Sequence, residues 1–145
     1  MVEAQRWFFI ALAWITGPSG ISYQLIEDRE TWFNAKARCR NLGAELVKIE
    51  SATVNDFIKT TFLDTSGSYD DVWIGLSDQV NIGTWRWSDE SLLTGYQNWG
   101  FGQPNNFFFN QHCTAMLMGL YFLVQYDGEW NDVECDSDLK FICMK

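Results

Sequence analysis

Residues 72–76 read Val-Trp-Ile-Gly-Leu, five uncharged residues with two β-branched side chains and one indole, followed by the turn-forming Ser77 and Asp78. So short an apolar run, bounded by polar residues, reads as a buried strand rather than a helix. Outward toward the C-terminus the same texture recurs at 84–87, 113–117, 130–133 and 139–144, all rich in Trp or β-branched residues. Outward toward the N-terminus the period changes. Thr31 can cap a helix with Trp32, Ala35, Cys39 and Leu42 at i, i+3, i+7 and i+10, stopped by Gly43. Its polar face carries Asn34, Lys36, Arg38 and Arg40. Ser51 can open a second helix with Val54, Phe57, Ile58 and Phe62 on one stripe, closed by residues 64–67. Helices first and strands after predict an α+β domain.

Length and composition bound the function. A chain of 145 residues makes one globular domain. Its net charge of −9, from 19 acidic against 10 basic residues, repels phosphate backbones and anionic membranes, so nucleic acid is excluded as a partner. Eight Trp, eleven Phe and five Tyr predict a core built from large rings. Residues 88–111 form a Gly-, Asn-, Gln- and Ser-rich stretch longer than an ordinary connection, and its Trp99, Phe101, Phe107, Phe108 and Phe109 argue for an anchored or binding loop rather than disorder. The apolar run 115–124 reads as one strand plus a hydrophobic turn.

The first apolar run, 7–15, is far shorter than the roughly 20 residues of a membrane-spanning helix, so no transmembrane segment is expected. Arg6 before it, and Gly17, Pro18 and Ser19 after it, fit a secretory signal over 1–19, leaving a domain over 20–145. The alternative is a buried strand at the start of the domain. Secretion would make pairing the default for Cys39, Cys113, Cys135 and Cys143, with three connectivities open. Their spacings fit no zinc finger or ribbon.

Three tripeptide-scale motifs stand in order: Trp73-Ile74-Gly75-Leu76, Gln103-Pro104-Asn105 and Trp130-Asn131-Asp132, with a cysteine in the first helix, one near the C-terminus and two flanking the last motif. In this the chain resembles the C-type lectin domain family from about Ser22 to Met144. The resemblance implies two helices flanking antiparallel sheets, a long protruding loop region, and disulfides pairing Cys39 with Cys143 and Cys113 with Cys135. It also implies a calcium and sugar site on Gln103, Asn105, Gln111, Asn131 and Asp132, with a cis peptide at Pro104.

Calcium takes several hard oxygen ligands, and amide side chains supply oxygen without charge. The family patterns place three carboxylates here, whereas this chain offers Asp132 alone. If each of the two lost carboxylates costs about tenfold, an extracellular site of roughly 10⁻⁴ to 10⁻³ M weakens to about 10⁻² M or worse. Asp127 and Glu129 are the acidic residues near enough in sequence to compensate. The auxiliary calcium site of the family is expected to be lost, because Ile82, Asn106 and His112 replace acidic groups and Asp78 then reads as a turn residue. Gln103 with Asn105 is a hybrid of the mannose-type and galactose-type loops. Phe107, two residues past the tripeptide, matches the aromatic that stacks on galactose and tips the reading that way. Three adjacent phenyls at 107–109 cannot all point inward, so at least one is displayed.

Catalysis is not expected. One histidine beside a bridged cysteine supports neither a Ser/His/Asp nor a Cys/His arrangement, and the carboxylates near Trp130 have a simpler role. The sequence thus predicts a secreted, extracellular lectin that binds a carbohydrate or glycoconjugate through Gln103, Asn105, Phe107, Gln111, Asn131 and Asp132, with calcium. The competing reading is a calcium-independent relative that binds a protein or other non-sugar ligand through the aromatic loop.

Overall fold

A computed structural model of the chain describes residues 13–63, 71–121 and 124–145. Its elements, in order, are β1 (Ile15–Thr16), β2 (Ser22–Glu30), α1 (Trp32–Asn41), β3 (Glu45–Leu46), α2 (Ala52–Ile58), β4 (Val72–Ser77), β5 (Arg86–Trp87), β6 (Cys113–Tyr121), β7 (Val124–Val133) and β8 (Leu139–Met144). The strands form one sheet in the order β1-β2-β8-β4-β6-β7, with β3 beside β8 and β5 beside β4. All pairings are antiparallel except β4 with β8, which run parallel.

Both helix starts follow from their caps. Thr31 Oγ1 accepts from the Asn34 N–H and Ser51 Oγ from the Val54 N–H, each satisfying a backbone donor that the first turn leaves unpaired. Trp32, Ala35 and Cys39 are buried as expected, but Leu42 is exposed because it sits past the last helical residue, where the stripe no longer faces the sheet. Beyond α2 the chain continues as one wide turn over Lys59–Leu63. The predicted closing segment 64–67 lies outside the described residues.

The buried strand expected at residues 72–76 is present as β4. Val72, Ile74 and Leu76 enter one apolar layer with Tyr23, Ile58, Met116, Trp130 and Ile142, while Trp73 enters the other with Trp32, Ala35, Phe141 and both disulfides. Two buried indole N–H groups find acceptors here: Trp73 donates to the Glu30 carbonyl at 2.8 Å and Trp32 to the Ile74 carbonyl at 2.9 Å. Truncating a ring of this size would cost about 3–5 kcal/mol. Gly75 has a steric reason. A Cβ there would lie 2.8 Å from the Leu46 carbonyl oxygen, because the Gly75 N–H bonds the Val47 carbonyl and draws the two chains together.

The disulfides are Cys39–Cys143, joining α1 to β8, and Cys113–Cys135, joining the start of β6 to the segment after β7. This is the nested pairing that the resemblance implied. The strand at Ser22–Glu30 closes the domain against β8, pairing Gln24 with Cys143 and Leu25 with Ile142. Ile15 and Thr16, inside the segment read as a signal, pair with Tyr23 and Ser22. The Lys145 ammonium lies 4.2 Å from the Trp14 ring centroid.

Candidate functional site

The site is built on β7. Its Trp130 is fully buried and is clamped by main-chain bonds to the long loop: the Trp130 N–H donates to the Asn98 carbonyl at 2.8 Å and its carbonyl accepts from the Gly100 N–H at 2.9 Å. Trp87, Tyr96 and Trp99 meet the Trp130 ring nearly edge-on, with centroids 5.8, 5.9 and 5.9 Å away, and Trp85 packs on Trp99. These rings form a rigid floor under the loop. Trp99 is therefore scaffold rather than ligand contact. Beneath the floor, Asn55 of α2 accepts the Trp130 indole N–H at 2.9 Å and donates to the Gly128 carbonyl at 3.1 Å. Nothing in the sequence around Asn55 announces this brace, since its partners lie more than 70 residues away.

The two residues after Trp130 diverge on the strand. Asp132 is fully buried and accepts hydrogen bonds from the backbone N–H of Asn105, at 3.1 Å, and of Asn106. The loop is further tied by its own amides: the Phe107 N–H donates to both Asn105 Oδ1 and Gln111 Oε1, at 3.2 and 3.1 Å, and the Gln111 N–H donates to Asn106 Oδ1 at 3.0 Å. Asn105, Phe107, Gln111 and Asp132 are thus brought into one hydrogen-bonded unit, with Asn106 added to the residues the sequence nominated. Gln103 and Asn131 flank it differently. Their side-chain carbonyl oxygens are buried and accept no hydrogen bond among the described residues. The Gln103–Pro104 peptide is cis.

The residues present do not fit a resident calcium ion well. A hard dication wants six to eight oxygens with several charges among them. Here both oxygens of the lone carboxylate, and the side-chain oxygens of Asn105 and Gln111, are already turned to backbone N–H groups. Only two neutral oxygens, on Gln103 and Asn131, remain without a partner. Asp127 and Glu129 do not compensate. Asp127 forms an ion pair with Lys59 at 3.1 Å, and the Glu129 carboxylate caps the Asp127 N–H. No group of three or more His, Cys, Asp or Glu able to hold a metal occurs among the described residues.

Asp78 behaves as the turn residue expected of it. Buried at the end of β4, it accepts from the Gly83 N–H at 2.8 Å and meets His112 Nδ1 at 2.9 Å. That pair ties the loop 78–83 to the base of the phenyl cluster. At the cluster itself Asn106, Phe108 and Phe109 all adopt positive φ, a left-handed conformation that costs non-glycine residues on the order of 1–3 kcal/mol each. The outcome is that all three phenyls, 107 to 109, are displayed, with the Phe107 and Phe108 rings in contact at 4.2 Å.

This architecture, a loop with Gln-Pro-Asn laid over a Trp-Asn-Asp strand and closed by two nested disulfides, defines a lectin-type binding module. The family model described as "Lectin C-type domain" matches residues 28–145. A C-type lectin of Micrurus corallinus is 34% identical over 127 residues, covering 86% of this chain and 77% of that protein. Among solved structures, the mouse scavenger receptor C-type lectin carbohydrate-recognition domain shares 30% identity at a TM-score of 0.76, covering 91% of this chain and 92% of that one. A calcium-independent type II antifreeze protein shares 26% identity at a TM-score of 0.76, covering 92% of both chains. The chain belongs to the C-type lectin domain family, whose members are binding modules and not enzymes. Calcium is commonly bound by the family.

Proposed function

We propose that the chain is a secreted lectin that binds a terminal sugar of galactose type in a loop held by its own hydrogen bonds rather than by calcium. The observation that carries this reading is Asp132, whose buried carboxylate is occupied by the Asn105 and Asn106 N–H groups. Where a metal would organise the loop, a fixed negative charge and two amides do so here. Sugar hydroxyls would find the side-chain amide nitrogens of Asn105 and Gln111. The half-exposed Phe107 ring, pinned by two bonds from its own N–H, would stack on the continuous C–H face of galactose. The mouse scavenger receptor domain supports a carbohydrate ligand, and the calcium-independent antifreeze protein supports a fold that stands without the ion.

A second reading rests on two buried oxygens. Gln103 Oε1 and Asn131 Oδ1 lack partners, and a weakly held calcium ion would satisfy them. Retention on galactose-agarose against mannose-agarose, run with millimolar calcium and again with EDTA, separates the two. Galactose retention that survives EDTA and is lost in Phe107→Ala is the expected result. Retention only with calcium, together with a calcium-dependent rise in melting temperature, favours the second reading. No retention on either resin overturns the sugar assignment. The leader assigned to 1–19 is checked by N-terminal sequencing of the secreted product: a start at Gly20 agrees, and a start at or before Trp14 retains the Ile15–Thr16 strand and refutes that boundary.

A further inference from the structure

The charged residues of this chain are unevenly placed. Between Glu90 and Asp127 there is no Asp, Glu, Lys or Arg, and 79–85 is likewise uncharged, although the whole carries a net −9. Into these two uncharged stretches fall seven of the ten large hydrophobic side chains that stand exposed among the described residues: Val80, Ile82, Leu92, Phe101, Phe107, Phe108 and Phe109. The first two stand on the loop that follows β4 and the last three on the loop that precedes β6. Ser77 pairs with Cys113 across β4 and β6, the Asp78 N–H donates to the His112 carbonyl, and Asp78 meets the His112 ring, so both loops leave the same end of the sheet side by side. The rings protrude rather than line a recess, with relative exposures of 104% for Phe101, 78% for Phe108 and 89% for Phe109.

A sugar needs one stacking ring, and Phe107 supplies it. The remaining apolar side chains exceed what the sugar site uses, and two of the residues that display them, Phe108 and Phe109, are held in a conformation that the chain adopts only at a cost. Large exposed apolar patches mark contacts with a partner or a membrane. A protein partner would have to offer a separate pocket for each protruding ring. A bilayer moulds around them, and its interface accepts aromatic side chains without any charged group to pair. The acidic body behind the loops would be repelled by anionic headgroups but not by zwitterionic ones. We propose that the loops 79–83 and 101–109 form a shallow membrane-docking surface that inserts its phenyl and aliphatic side chains into a zwitterionic phospholipid interface, next to the sugar site and independently of calcium.

The test is co-sedimentation of the full, disulfide-bonded chain with phosphatidylcholine vesicles in EDTA. The chain is expected to pellet with them, and to pellet less when phosphatidylserine is added, the deficit shrinking as salt screens the repulsion. Each ring withdrawn from the interface should cost about tenfold in partitioning, so F107S/F108S/F109S is expected to fall to background. V80S/I82S, on the other loop and outside the sugar site, is expected to fall by about tenfold or more while galactose retention is unchanged. F33S removes an exposed phenyl from α1 and is expected to pellet as the parent does. Absence of pelleting by the parent overturns the proposal, as does pelleting of both loop variants at the parent's level. So does a dimer in sedimentation velocity that V80S/I82S abolishes while vesicles bind neither protein, since the surface would then serve a second copy of this chain.

Discussion

Replacing Asp132 with alanine isolates the loop latch. The carboxylate is fully buried and holds two main-chain donors, Asn105 N–H and Asn106 N–H. A hydrogen bond to a charged group contributes about 1.5–3 kcal/mol, so loss of both gives about 3–6 kcal/mol, and the two N–H groups are left to find water or stay unpaired. That sum does not all appear as global stability. The segment 101–111 can open on its own, and once its opening free energy falls to zero, further loss is not felt by the sheet. The expected melting shift is therefore capped, at roughly 10 °C if about 3 kcal/mol is felt globally in a domain of this size. The local effect is larger: amide exchange at Asn105, Asn106 and Phe107 should quicken by about a hundredfold or more while β4 and β8 amides change far less. Asp132→Asn retains one acceptor oxygen and should fall between parent and alanine variant. The measurement is native-state hydrogen exchange read by NMR beside a thermal melt, both in EDTA. If exchange at 105–107 is unchanged in Asp132→Ala and the melt moves by less than about 1 °C, Asp132 does not hold the loop and the calcium-free reading of the site fails with it.

Asn55→Leu should destabilise by about 2–4 kcal/mol, because the Trp130 indole N–H and the Gly128 carbonyl both lose a partner in the core; a lower urea midpoint with unchanged slope checks it. Gly75→Ala forces a methyl to within 2.8 Å of the Leu46 carbonyl oxygen and is expected to cost about 1–3 kcal/mol, read from the same midpoint; an unchanged value would refute the close-approach account. Replacing Cys39 and Cys143 together by serine opens a link 104 residues long and should cost about 4–5 kcal/mol, more than the roughly 3 kcal/mol expected for the 22-residue link of Cys113 and Cys135. Burial pushes the Asp89 carboxyl upward, but hydrogen bonds from Ser91 and from Lys48 outweigh it and hold Asp89 below its ordinary value. Its folded value is depressed, so its contribution is complete above the ordinary aspartate range and drains away as pH falls through the depressed value. Asp89→Asn should flatten that part of the acid limb in a pH series of denaturation midpoints.

Much of the scaffold was legible because its signals are local. The short apolar run at 72–76, bounded by polar residues, predicts a buried strand, and Thr31 and Ser51 announce their helices three residues ahead of the donors they cap. Residues 22–30 were not read as a strand from their own pattern. Ser-Tyr-Gln-Leu-Ile-Glu-Asp-Arg-Glu buries Tyr23 and Gln24 side by side and then runs out exposed, so alternation is lost, and its place in the sheet depends on β8. The candidate residues of the loop were legible only through their resemblance to a family. What they do in this chain was not, because the donors that occupy Asp132 are main-chain N–H groups 26 and 27 residues away, and a backbone amide leaves no signature in a sequence. The display of all three phenyls likewise depends on positive φ angles at Phe108 and Phe109 that residue type alone argues against.

The aromatic floor has an optical consequence. Trp130 stands within 6 Å, centroid to centroid, of Trp87, Trp99 and Tyr96, and Trp99 within 5 Å of Trp85, all in fixed tilted or edge-on orientations. Transition dipoles held so close and so skewed couple, and the chain should carry an intense, structured near-ultraviolet circular dichroism band from this one cluster. Because Trp99 hangs from the loop through Asn98 and Gly100, any event that lifts the loop breaks the coupling. The protein thus carries a built-in, label-free chromophore array whose band shape reports the state of its binding loop.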